Sequence, residues 1–452
     1  MVRAVVDVVA PGTGQLVDQV GLLAEEHVPD VVSMADRAFR TWSATPLRHR
    51  QEVLHAMADA LTERIALLAK DYSEQHGKLV HEAQIELERA VDTIHWVATS
   101  AGSATRPRDL PPRPGLAHRE VRVDPAGPVL AMVPWNYAAV ILARKVAPAL
   151  AMGCSVIVKG PEETPCVARA FQAAAEDAGC SPGTLQTVFA EPAVVQALVR
   201  SPRLRQISFT GSTRVGRIIA TLAAEHLTPC VLELGGHAPV IVTADADLDL
   251  AVRTLVAAKF AATGQSCGSP SRFLLDRRIH DEFVERFCDR LDDHPMGPLN
   301  SARRREHVHG LVSDAVRRSA VLRRGGTLPS TPGFYYPATV LTDIPADAAI
   351  LTEEPFGPVA PMLRYDDDDT AVDMANSTTL ALSAYVFGDI DHAAALAARI
   401  DAGGVTLNAV PTAFPDAPLG GRHDSGYGYE GGDEGLLAFG RLKILQTGGD
   451  HG

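Results

Sequence analysis

Apolar and polar positions change their rhythm twice along the chain. Over the first hundred residues the pattern predicts helices: Leu54, Met57, Leu61, Ile65 and Leu68 recur at spacings of three and four, which draws one apolar stripe along a helix. "TRPRDLPPRPG" then places four prolines in eleven residues and reads as a connector. "AHREVRVDPAG" alternates and reads as an extended ribbon. From residue 129 short apolar runs take over, "VLAMV", "SVIV", "LQTVF", "QISF" and "CVLEL". They alternate with alanine-rich stretches at 138–151, 164–178 and 214–225, the pattern of βαβ units around a parallel sheet. The same order returns after 238 with "PVIV", a helix at 247–262 and "RFLLD", so two α/β lobes are expected. Asp366–Asp369 should favour a helix N-terminus, where carboxylates meet the helix dipole. "AFGRLKILQT" reads as a final strand.

Composition narrows the function. The 452 residues are 46% hydrophobic and 21% charged, as in ordinary soluble globular chains. A net charge of −13 argues against nucleic acid and anionic membrane as partners. Six cysteines without a C-x-x-C pair argue against a disulfide scaffold or structural zinc and for a reducing, cytoplasmic setting. The sixteen histidines show no H-E-x-x-H spacing, so no catalytic metal is expected. The opening segment is too short and too broken for a signal peptide, and no apolar run reaches membrane-spanning length.

Chemistry concentrates in a few stretches. "QISFTGSTRVGRII" offers a strand, a turn with Gly211 and Ser212, and a helix beginning near Thr213, whose free N–H groups suit a pyrophosphate. An ordinary β-to-α turn would read the same way, since G-x-T-x-x-G is not the dinucleotide fingerprint. "MVPWNYAAVILARK" puts Asn136 at the head of a helix, where it could equally be an N-cap. "VLELGGHAP" sets Glu233 in an apolar strand, and a carboxylate there needs a partner or a purpose. "TEEPFGPV" holds Glu354 and Phe356 in a Pro- and Gly-rimmed loop. "GQSCGSPSR" contains Cys267 among small residues. It is a nucleophile if its environment activates it and a compact buried residue otherwise.

Taken in order, "PWN", "FTGS", "LELGG", "GQ-x-C" and "EEPFGP" resemble the aldehyde dehydrogenase superfamily over nearly the whole chain. The semialdehyde-oxidising branch, succinate-semialdehyde dehydrogenases among them, is the most similar. Glu233 and Cys267 lie 34 residues apart, as the family pattern requires. The resemblance implies an α/β fold with a Rossmann-type NAD-binding domain, an α/β catalytic domain and a small β oligomerisation ribbon. The expected bounds are 1–104 with 124–236, 237–425, and 105–123 with 437–449. It implies that Cys267 forms a thiohemiacetal and then a thioester, that Asn136 donates to the oxyanion, that Glu233 activates water, and that Lys145 belongs to the catalytic set. The cofactor, NAD rather than NADP because Glu162 would repel a 2′-phosphate, would contact Trp135, Lys159, Glu162, Gly211, Ser212, Gly235, Glu354 and Phe356. Without the family context, Lys159 and Glu162 read as a solvated ion pair. A homodimer or homotetramer is implied as well.

For the substrate, Tyr137 and Arg144 fall at i and i+7 on one helix face. Arg144 could hold the carboxylate of a small semialdehyde in a bidentate pair, or merely face solvent or an acidic neighbour. Ala261 stands where that branch often has a second arginine. Three rival readings remain: an uncharged aliphatic or aromatic aldehyde, CoA-acylating oxidation, and a catalytically silent binding homologue. Intact Glu233 argues against the second, and the intact residue set argues against the third.

Overall fold

The computed structural model describes residues 2–292, 294–410 and 413–449. Met1, Asp293, Pro411 and Thr412 lie outside the described residues. Two sheets dominate. One has the strand order Gly426–Tyr427, Cys230–Glu233, Gln206–Thr210, Val129–Met132, Val156–Lys159, Leu185–Val188. All its pairs are parallel except the first, which joins Gly426 to Glu233 in antiparallel register. The second runs Val321–Arg324, Thr339–Thr342, Val359–Tyr365, Arg272–Asp276, Pro239–Val242, Ser383–Phe387, Gly404–Leu407, with only its first pair antiparallel. Short all-apolar strands such as Val129–Met132 and Pro239–Val242 are buried along their whole length, as strands covered by helices on both faces must be. Among the described residues no helix is long and apolar enough to cross a membrane.

The expected βαβ units are present. Helices Ala138–Met152, Pro165–Asp177, Thr213–Ala224 and Leu248–Phe260 fall where the alanine-rich stretches placed them. Asp367 caps the helix Asp368–Ala375 by accepting the Thr370 N–H at 2.8 Å. Leu116–Pro125 pairs with Gly440–Gly448 over nine residue pairs and with the short strand Arg108–Asp109. The ribbon therefore extends to Pro125, and residues 426–427 rejoin the first sheet beyond the expected catalytic stretch.

Two expectations about the N-terminal hundred residues are corrected. The chain opens with a hairpin, Val2–Val9 against Leu16–Leu23, not with helices. Its strands are rich in valine and flank the turn "PGTG", so β-branching overrides the helical reading. The stripe from Leu54 to Leu68 is also not one helix. Leu47–Thr62 ends and Ile65–His76 begins anew, with Leu54, Met57 and Leu61 buried from the first and Leu68 from the second. Both helices pack against the long helix Val80–Ala104, and this tertiary contact sets the bend.

Candidate active site

The cysteine loop leaves the helix Leu248–Phe260 through a left-handed turn. Ala262, Thr263 and Gly264 have φ of 45°, 59° and 71°. A β-branched residue in that region is strained and persists only where its surroundings fix it. Here Thr263 Oγ1 donates to the Gly297 carbonyl at 2.9 Å, and Glu82 accepts the Ala262 N–H at 2.8 Å. Beyond the turn, the Asn136 side-chain amide donates to the Gln265 carbonyl at 3.0 Å. Asn136 is not the helix cap. Tyr137 takes that position, with no side-chain cap of its own.

Glu233 ends a buried strand, and the two glycines after it let the backbone pass close to the cysteine loop. A Cβ on Gly236 would lie 2.2 Å from the Cys267 carbonyl oxygen, and one on Gly235 would lie 3.3 Å from Glu354 Oε2. Cys267, Glu233 and Glu354 thus converge where the strand leaves the sheet. Gly236→Ala should displace the thiol. An ångström-scale misplacement costs about 100-fold in rate, which steady-state turnover and the rate of Cys267 alkylation by iodoacetamide would both read.

Electrostatics couple these groups. Burial pushes the Cys267 thiol up to about 12, and the Glu354 and Glu233 carboxyls add to the shift. Glu354 is raised to about 8, chiefly by burial, against the opposing charges of Arg304 and Lys259. Burial and Glu430 hold Glu233 well above the usual carboxylate range, while Lys145 and Arg144 oppose them. Lys145 is fully buried and donates to Ser208 at 2.8 Å and to Glu430 at 2.5 Å. Oε1 of Glu233 and Oε1 of Glu354 are buried with no partner among the described residues. Two such orphaned carboxyl oxygens are costly unless a ligand or water completes them.

A cavity of about 630 Å³ opens on the first sheet, lined by Trp135, Lys159, Glu162, Gly211 and Ser212. Ser212 caps the helix Thr213–Ala224 through its contact with the Val215 N–H. A Cβ on Gly211 would meet the Phe209 ring at 2.4 Å, so only glycine fits that turn. The Glu162 carboxylate is pinned, with Lys159 at 2.6 Å on one oxygen and the Ala190 N–H at 3.1 Å on the other. Trp135 and Phe356 meet edge to face at 5.9 Å. A helix N-terminus beside the cavity and the fixed Glu162 carboxylate in its wall fit a dinucleotide.

Arg144 is 3% exposed. It does not face solvent. Its Nη2 donates to the Phe414 carbonyl at 2.6 Å and its Nη1 reaches the Glu430 carbonyl at 3.5 Å, while Nε has no partner among the described residues. Tyr137 is half-buried, with Lys78 Nζ 4.5 Å from its ring centroid. Glu430, Glu82, Tyr72, Lys78 and Glu86 were not singled out from the sequence, although each contacts a site element.

Comparisons with known proteins agree with this geometry. Residues 2–445 match the model of the aldehyde dehydrogenase family. The chain is 38% identical to the 4-(hydroxymethyl)benzenesulfonate dehydrogenase of Comamonas testosteroni, over 96% of this chain and 93% of that protein. It is 34% identical to the NADP-dependent succinate-semialdehyde dehydrogenase of Deinococcus radiodurans, over 97% and 94%. The solved structure of succinate-semialdehyde dehydrogenase from Burkholderia pseudomallei superposes with a TM-score of 0.95 at 32% identity, covering 98% of this chain and 95% of that one. The chain belongs to the aldehyde dehydrogenase family, and it is an oxidoreductase that converts aldehydes to carboxylic acids with NAD or NADP.

Proposed function

We propose that this enzyme oxidises a small aldehyde with an anionic tail, using NAD, through a covalent intermediate on Cys267. The convergence of Cys267, Asn136, Glu233 and Glu354 at the Gly235–Gly236 strand exit carries the reading. Cys267 loses its thiol proton to solvent, and its Sγ adds to the carbonyl carbon to give a tetrahedral thiohemiacetal oxyanion. The Asn136 amide and the Cys267 backbone N–H donate to the new oxyanion. NAD, when bound, would accept hydride; as the C–H bond of the thiohemiacetal breaks and the C=O re-forms, a thioester on Cys267 would remain. Glu233 then takes a proton from water as that water attacks the thioester, and the acid departs. Lys145 opposes the burial and the Glu430 charge that raise the proton affinity of Glu233. Trp135, Lys159, Glu162, Gly211, Ser212, Gly235, Glu354 and Phe356 would hold the cofactor. The pinned Glu162 favours ribose hydroxyls over a 2′-phosphate, hence NAD.

The anionic tail rests on Arg144, whose charge is felt at Glu233 and whose Nε has no partner among the described residues, and on relatives named for succinate and aspartate semialdehydes and for 3-sulfolactaldehyde. The bonds from Arg144 to the Phe414 and Glu430 carbonyls favour a second reading, in which it only holds those loops. One experiment separates them: kcat/KM for a semialdehyde and for a neutral aldehyde of equal length, in native protein and Arg144→Leu, with NAD and with NADP. An anchor should cost the charged substrate about 2 kcal/mol and leave the neutral one nearly unchanged. Equal losses would reduce Arg144 to loop support. Equal use of both cofactors would contradict the role given to Glu162. The ribbon's exposed Leu442 and Ile444 support assembly of a dimer or tetramer along that edge.

A further inference from the structure

Behind Asn136 lies a buried polar group that no step of the reaction uses. Tyr72 comes from the helix Ile65–His76, Lys78 follows that helix, and Glu86 comes from Val80–Ala104. The Lys78 and Glu86 side chains are 1% and 2% exposed, and they form an ion pair. Lys78 Nζ donates to Glu86, to Tyr72 Oη at 3.1 Å and to the Asn136 carbonyl at 3.0 Å, so its three N–H groups each have an acceptor. Tyr72 Oη donates to Glu86 at 3.1 Å and accepts the Ala138 N–H at 3.0 Å. Glu86 Oε1 accepts the Ala139 N–H at 2.9 Å.

These bonds grip the main chain at the Asn136 carbonyl and at the two N–H groups that open the helix after it. The helix Ala138–Met152 begins without a cap of its own, and Tyr72 and Glu86 satisfy its first two N–H groups. A serine or aspartate at position 137 would cap the helix locally. A buried ion pair is a poor route to stability, because apolar residues of similar volume often do as well or better. What the group adds is a fixed backbone under one side chain. Among the described residues, the Asn136 amide itself has only the Gln265 carbonyl as a partner.

We propose that Tyr72, Lys78 and Glu86 are positioning residues for Asn136. They hold its backbone so that the side-chain amide meets the oxyanion that forms when the Cys267 thiol adds to the aldehyde. The inference rests on the reading of Asn136 as oxyanion donor.

The test uses Tyr72→Phe and the charge-balanced pair Lys78→Met with Glu86→Gln, each in native and Asn136→Ala backgrounds. Three quantities are read: the rate of the first turnover from the burst of reduced cofactor, cofactor affinity by fluorescence, and Tm. The first turnover should slow by about 10- to 100-fold in the double variant and several-fold in Tyr72→Phe, the scale of losing or misplacing one oxyanion donor. Cofactor affinity should change less than about twofold in either, because the cofactor contacts are intact. In the Asn136→Ala background the same changes should cost almost nothing further, since groups that act through one another are not additive. Equal losses in both backgrounds would overturn the inference, as would a lowered Tm with an unchanged first turnover. If the double variant fails to fold, Tyr72→Phe decides by the same criteria. A normal first turnover in Asn136→Ala alone would remove the donor role itself, and this outcome is distinct from additive losses.

Discussion

Cys267→Ala is expected to abolish aldehyde oxidation while leaving cofactor binding within about twofold of native, because only the covalent step loses its nucleophile. Turnover should fall by about four orders of magnitude or more, as when other enzymes lose a nucleophile. The environment of the thiol sharpens the expectation. Burial and two nearby carboxyls raise Cys267 to about 12, so at neutral pH the resting group is a thiol and not a standing thiolate. Its reactivity therefore depends on what enters the crevice, and alkylation by iodoacetamide should quicken as pH rises. The other five cysteines are free. Burial raises each of them as well, so none offers a low-pKa substitute. Residual turnover above a few per cent, measured by absorbance of the reduced cofactor over an aldehyde panel, would sink the assignment.

Glu233→Gln should separate the two halves of the reaction. The first turnover should persist as a burst, while steady turnover falls by about 100- to 10,000-fold, the usual contribution of a general base. The pH dependence follows from the direction of the shift. Burial and Glu430 hold Glu233 above the ordinary carboxylate range, so its basic form is scarce at low pH and grows as pH rises through the elevated pKa. Where deacylation limits the native enzyme, turnover should climb with pH in that window, and the climb should vanish in the glutamine variant. Loss of the burst together with steady turnover would give Glu233 a different role, such as activating the thiol.

Much of this site was legible in the sequence because its chemistry comes in short motifs with glycine beside them. Gly236 and Gly211 are required by backbone and ring contacts that a Cβ would violate, and such positions leave a local trace. The parallel strands were legible for the same local reason, since a strand buried on both faces is an unbroken apolar run. The opening hairpin was missed although the valines of Val2–Val9 and the turn "PGTG" mark it. Tyr72, Lys78 and Glu86 left no such mark. Polar residues at helical spacing read as a solvated face, and only the packing of three helices shows that these are buried. The surroundings of Arg144 were equally hidden, because they come from Phe414 and Glu430, 270 and 286 residues further along. A helix-face argument carries no information about them.

The antiparallel pairing of Gly426 with Glu233 bears on how the enzyme comes into being during synthesis. Ser425 ties itself to the Gly235 carbonyl at 2.6 Å across 190 residues of sequence, and Glu430 completes the buried partner set of Lys145. Contacts of such separation close late in folding, after the local βαβ units have formed. A nascent chain that ends before residue 425 already carries Cys267, but its Glu233 lacks the strand that pairs with it. The pairing that fixes Glu233 therefore waits for the segment around residues 425–430, long after Cys267 has been made.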